Sequence, residues 1–110
     1  VTVNSRRKGK AAELEVCEAI RDAGWPNARR THDGRSQQGR GDVTGGPANC
    51  HIEIKRRERL NVPEAFDQIT RDANPLDMPV LIHRPSRQEW MATIPLDDFL
   101  ALVAFKEFAA

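Results

Sequence analysis

The sequence predicts a single α/β domain, a mixed five-stranded sheet with helices on its faces, in the order α-β-β-β-α-β-β-α. Three observations predict it. Apolar residues recur at helical spacing over residues 8–23, over 63–73 and beyond Pro95. Short runs that alternate, or that are wholly apolar, lie between those stretches. The length of 110 residues suits one compact core spanning 1–110.

Residues 1–7 are expected to form a flexible basic arm. The first helix is expected over 8–23, where Leu14, Val16, Cys17 and Ile20 share one arc and Gly24 supplies the stop. Residues 28–33 read as a short strand, followed by a polar, glycine-rich loop from Asp33 to Gly41. Asp42-Val43-Thr44, the turn from Gly45 to Asn49 and the run Cys50 to Arg56 predict a β-hairpin. In its second strand Ile52 and Ile54 point one way, while His51, Glu53 and Lys55 point the other. His51 is expected at solvent.

Pro63 opens a helix over 63–73 with the stripe Val62, Phe66, Ile69 and Ala73. Met78 to His83 reads as a strand buried on both faces, because Val80, Leu81 and Ile82 are consecutive. A turn over Arg84 to Arg87 leads to a returning strand, Glu89 to Ile94. The last helix is expected near Pro95, with Asp97 and Asp98 early and Lys106 late, as the helix dipole favours. Leu96, Phe99, Leu100, Leu102 and Val103 are its expected core residues.

Composition narrows the function classes. No apolar run approaches the roughly 20 residues needed to span a bilayer. No hydrophobic segment follows the basic N-terminal residues, so a signal peptide is not expected and a cytoplasmic, soluble protein is. Cys17 and Cys50 match no zinc spacing and are expected to be reduced. The net charge of +1 hides an asymmetry: residues 1–60 balance at +5 and residues 61–110 at −4. The positive charge clusters at Arg6, Arg7, Lys8 and Lys10, at Arg29, Arg30, Arg35 and Arg40, and at Lys55, Arg56, Arg57 and Arg59. Such clusters suit a polyanion such as nucleic acid. Four Phe, two Trp and no Tyr offer no aromatic platform for stacking single strands.

The chemistry concentrates at Asp42, ten intervening residues, then Glu53-Ile54-Lys55. Phosphodiester cleavage needs a hard divalent cation, an activated water and charge to offset the transition state. Carboxylates are the proper ligands for Mg²⁺. A lysine two residues after a carboxylate on a strand projects from the same face, where it can hold or help deprotonate the water. Glu13 is a third carboxylate, placed near the middle of the first helix's apolar arc. Burying it requires a partner, either a nearby arginine or a metal. Glu15, Glu18 and Asp22 lie on the opposite, polar arc.

These residues resemble a known family. Lys8-Gly9-Lys10-Ala11-Ala12-Glu13 fits the K-G-x-x-x-E helix opening of archaeal-type Holliday junction resolvases. Gly41-Asp42-Val43 and Ile52-Glu53-Ile54-Lys55 resemble their PD-(D/E)XK nuclease core, which phage-encoded nucleases share. The resemblance covers roughly residues 6–94. It implies a restriction-endonuclease-like fold and a metal-dependent endonuclease acting on DNA, most sharply a resolvase of four-way junctions working as a homodimer. It implies that Glu13, Asp42, Glu53 and the Ile54 carbonyl bind Mg²⁺ or Mn²⁺ and that Lys55 is the catalytic lysine. Arg6, Arg7, Lys8, Lys10, Arg30, Arg35, Ser36, Arg40, Arg56 and Arg57 would contact DNA. Gly41 replaces the family's usual Pro, and Gln68 is the nearest match to a polar residue on the following helix. A nicking or repair endonuclease of the same fold and a non-enzymatic DNA-binding module are the competing readings. The module predicts that one of the four site residues is missing, and all four are present.

Overall fold

A computed structural model describes residues 3–31 and 41–109. Its elements follow the expected order: α1 (Val3–Asp22), β1 (Arg29–Arg30), β2 (Val43–Thr44), β3 (Cys50–Arg56), α2 (Val62–Asp72), β4 (Met78–Arg84), β5 (Met91–Thr93) and α3 (Leu96–Phe108). The flexible arm is corrected in part, since α1 already begins at Val3. Nothing but Gly9 interrupts the helix-tolerant residues between Val3 and Leu14, so the turns preceding the apolar arc remain helical.

The described strands form two sheets and not one. β1 pairs antiparallel with β2, while β3, β4 and β5 form a separate sheet in that order. β3 runs parallel to β4, with Ile52 opposite Val80 and Glu53 opposite Leu81, and β5 returns antiparallel. The hairpin joining β2 to β3 is therefore overturned. Gly45 has φ +79, and its α-carbon faces the Asn27 carbonyl so closely that a Cβ would lie 2.4 Å from that oxygen. The turn thus packs on the chain before β1, and β2 spends its ladder on β1. β3 finds a better partner in β4, because α2 carries the chain across to a parallel register.

α2 is well signalled locally. Asn61 caps it by accepting from the Glu64 amide at 3.1 Å, and Pro63 sits in the first turn. Its Ile69 is buried, as is Leu81 on β4. On the other face of the sheet Ile52, Ile54 and Val80 pack with Ala12, Val16 and Cys17 of α1. The three-stranded sheet is thereby sandwiched between α1 and α2. Cys17 and Cys50 are both free thiols.

Glu15 has a role that its place on the polar arc did not indicate. Its Oε1 accepts from Arg84 Nη2 and from Trp90 Nε1, each at 2.9 Å, and the Arg84 guanidinium stacks over the Trp90 ring. This trio ties α1 to the β4–β5 turn.

The expected core residues of the last helix are corrected. α3 has no buried residue, and Leu96, Phe99, Leu100, Leu102 and Val103 are all exposed. Its charges fall in different quadrants, so the helix is apolar around its circumference and has no single face to turn inward.

Candidate active site at the free edge of β3

β3 is an edge strand, and the segment carrying Asp42 occupies its open side. The Asp42 amide donates to the Ile52 carbonyl at 2.7 Å, and the Ile54 amide donates to Asp42 Oδ2 at 2.8 Å. Main chain and side chain together fix the Asp42 carboxylate against the strand. Gly41 makes this approach possible. Its φ is +68, and a Cβ there would lie 2.5 Å from the Ile52 carbonyl oxygen. Proline, locked near φ −65, has no access to that conformation. Thr31 holds the segment from behind: its hydroxyl donates to the Gly41 carbonyl at 2.7 Å and its amide to the Asp42 carbonyl at 3.0 Å.

Glu13, Asp42, Glu53, Ile54 and Lys55 all line one cleft of 660 Å³, together with Lys8, Gly9, Arg56 and Arg57. The helix α1 supplies Glu13 one turn before the buried Val16 and Cys17, so core packing sets its position. Among the described residues, no three acidic, histidine or cysteine side chains stand close enough to form a ready metal cage. One reason is visible. Arg30 Nε donates to Glu13 Oε1 at 2.8 Å, holding that carboxylate on β1's side of the cleft. The arginine partner foreseen for Glu13 is thus present, and Glu13 also borders the acidic cleft.

The electrostatics record how crowded the acids are. Burial pushes the Asp42 carboxyl up to about 7, the Glu53 carboxylate beside it adds to the rise, and the Ile54 amide and Lys55 oppose it. Burial also raises Glu13, Arg30 pulls it down and Asp42 pushes it up. A site that leaves a carboxyl near neutrality is short of positive charge. The donors are hard oxygens, so the residues present fit Mg²⁺ or Mn²⁺ as the missing charge.

His51 is corrected. It is 1 % exposed, not at solvent, and its Nε2 lies 3.2 Å from Glu53 Oε1. An ionised Glu53 offers only lone pairs, so Nε2 carries the proton in that contact. Nδ1 then has no partner among the described residues. His51 orients Glu53 from beneath, and its shared face with Glu53 and Lys55 was the sequence signal for it. Gln68 of α2 also borders the space beside Glu53 and Lys55, next to Ala65, Ile69 and Asp72 of the same helix.

Of the residues expected to contact DNA, Lys8, Arg56 and Arg57 line the cleft. Arg6, Arg7 and Lys10 are exposed on α1 outside its lining, and Arg30 is engaged with Glu13. Arg35, Ser36 and Arg40 lie outside the described residues.

A family profile described as "Phage putative PDDEXK endonuclease" matches residues 4–109. The chain belongs to that family. No curated protein and no solved structure matches the chain. No described helix is long and apolar enough to cross a membrane.

Proposed function

We propose that this PDDEXK endonuclease is a Mg²⁺-dependent enzyme that hydrolyses phosphodiester bonds in branched DNA, in the manner of a junction resolvase acting as a pair of subunits. The observation that carries the nuclease part is the convergence of Glu13, Asp42, Glu53 and Lys55 on one cleft that basic residues border. The raised Asp42 carboxyl supports it, because such a group gains most from a bound cation.

In this reading Asp42, Glu53 and the Ile54 carbonyl would hold the metal, with Glu13 as a further ligand once free of its contact with Arg30. A bound divalent ion would polarise the phosphoryl oxygen and acidify the attacking water. Lys55 holds that water in line and lends its charge to the transition state. His51 keeps Glu53 in one rotamer, as a partner behind a ligating group does. Lys8, Arg56 and Arg57 grip the phosphates flanking the cut. Water would add to phosphorus with release of one proton to solvent, the P–O bond to the leaving sugar would break, and the departing sugar oxygen would take up a proton from solvent.

The test is a cleavage panel of four-way junction, flap, nicked duplex and linear duplex, with products mapped. Paired symmetric nicks across the junction with Mg²⁺ and none with EDTA are expected. Lys55→Ala should abolish cutting while DNA binding persists. A single nick on another substrate would replace resolvase by a nicking or repair endonuclease. Lys55→Ala cutting at the normal rate would remove the site assignment. Mn²⁺ titration followed by electron paramagnetic resonance reads metal binding without activity, and Asp42→Asn should weaken it.

A further inference from the structure

The β4–β5 turn, Pro85-Ser86-Arg87-Gln88, is clamped from two sides. On the β3 side the Arg57 amide donates to the Arg84 carbonyl at 3.2 Å, and the Ser86 amide donates to Glu58 Oε1 at 3.1 Å. Across the turn Arg84 Nη1 donates to the Gln88 carbonyl at 2.9 Å. On the α1 side Glu15 holds both Arg84 and Trp90. The tip of a surface turn is ordinarily among the most mobile parts of a domain. Here side chains from two other elements fix its shape.

One residue of this turn stands in an unfavourable conformation. Arg87 has φ 63, in the left-handed region. Gly enters that region freely and Asn or Asp with local hydrogen bonds, whereas a long side chain gains nothing there. The Arg87 side chain is exposed, so packing does not offset the cost. A strained residue kept in a well-held turn points to a role outside the fold.

The surroundings give the chemistry of that role. Glu58, which holds Ser86, also lines the cleft beside Lys8, Arg56 and Arg57. Ser86 holds the Glu58 carboxyl below its usual range, and Lys8 and Arg56 lower it further. The turn therefore continues the basic rim of the cleft. Glu15 already answers the charge of Arg84, which leaves Arg87 to carry the turn's charge outward. Glu58 is three residues past Lys55. That is at most about 11 Å of chain, or about three base pairs of duplex at roughly 3.4 Å each. We propose that the β4–β5 turn is a second DNA contact, in which Arg87 binds one backbone phosphate about three base pairs from the cut. A preset turn has little order left to lose on binding, and the guanidinium fork takes two phosphate oxygens at once.

The inference rests on the nuclease reading for its ligand, and it is tested by binding and not by cleavage. Fluorescence anisotropy of a labelled DNA duplex in EDTA measures binding without cutting. Arg87→Ala should weaken binding about 5–10-fold and lower the salt slope by about one, the mark of one lost phosphate contact. Arg87→Gly should weaken binding equally, with a melting temperature no lower than that of the wild type, since glycine takes a φ of 63 without cost. Arg87→Lys should keep most of the affinity. Arg71→Ala, at an exposed position in the last turn of α2, should change nothing. Replacing single phosphates by neutral methylphosphonates should find one, about three nucleotides from the mapped cut, whose loss weakens the wild type several-fold and Arg87→Ala not at all. Unchanged affinity in Arg87→Ala and Arg87→Gly overturns the contact, as does a scan in which every phosphate matters equally with and without Arg87. Affinity lost only in variants whose melting temperature falls overturns it in favour of a structural turn. Wild type that binds no duplex overturns both readings. Binding that depends on Arg87 in a protein that does not cut sinks the nuclease reading and leaves the contact standing.

Discussion

The cleft beside β3 and the helix α3 break the same rule in opposite senses. In the cleft, carboxylates are drawn out of water: Asp42 is pinned by the Ile54 amide and crowded by Glu53, and its carboxyl rises to about 7. On α3, apolar side chains are left in water, with Phe105 and Phe108 almost fully bare. The layer between the sheet and α2 obeys the rule, with Leu81 and Ile69 both buried. Each departure is unfavourable to the isolated domain. The divalent cation proposed for the cleft would relieve the first of them. Local inconsistency of this kind is expected at sites of function.

The comparison can be broken most forcefully at Asp42. Asp42→Asn is expected to lower cleavage by about a thousand-fold or more, the scale of losing a main transition-state stabiliser. The same change should raise the melting temperature at pH 8 without metal, because the amide keeps the Ile54 contact and removes a buried charge. A fall in melting temperature would mean that Asp42 is held by favourable charge and not frustrated. Gly41→Ala comes next. With φ +68 and a Cβ 2.5 Å from the Ile52 carbonyl, it should destabilise the domain by about 3 kcal/mol or more, measured by urea unfolding.

The pH dependence follows from the raised carboxyls. In the unfolded chain Asp42 releases its proton near 3.9. In the folded chain it holds it to about 7. Between those values the folded state binds more protons, so this group's contribution to stability falls as pH rises. Glu13, also raised, acts in the same direction. Unfolding free energy without metal should therefore decline from about pH 5 to pH 8, and Mg²⁺ should flatten or reverse the decline. Stability that rises with pH in EDTA would contradict the account of the cleft.

Two smaller effects sharpen the contrast. Arg30→Gln removes a charge-assisted bond to half-buried Glu13 and should cost about 1–2 kcal/mol of stability by urea unfolding. Leu96→Ala, at a position 68 % exposed, should cost under about 0.5 kcal/mol. Leu81→Ala is expected to cost about 2–5 kcal/mol in the same assay. Equal costs at the two leucines would mean that α3 is packed within the domain.

Much of the site was legible because its signals are local. Period-two alternation put Glu53 and Lys55 on one face, and a carboxylate on an apolar arc marked Glu13 before any contact was known. His51 shared that face, yet its burial was not legible, since it depends on the Gly41 segment closing over β3. Glu15 was unreadable for a similar reason: Arg84 and Trp90, which claim it, lie 69 and 75 residues away.

By itself the sequence determined the order of helices and strands, the start of α2 at Pro63, and the set of acids and lysine that line the cleft. Periodicity, capping and turn chemistry act over a few residues, so they are written in the chain. Tertiary structure alone decided which strands pair, that β2 turns to β1 and β3 to β4, and that α3 stands unburied. Strand partners compete across long separations, and a wholly apolar helix carries no mark of which surface will cover it. Those outcomes depend on the surfaces left over after every nearer contact has formed.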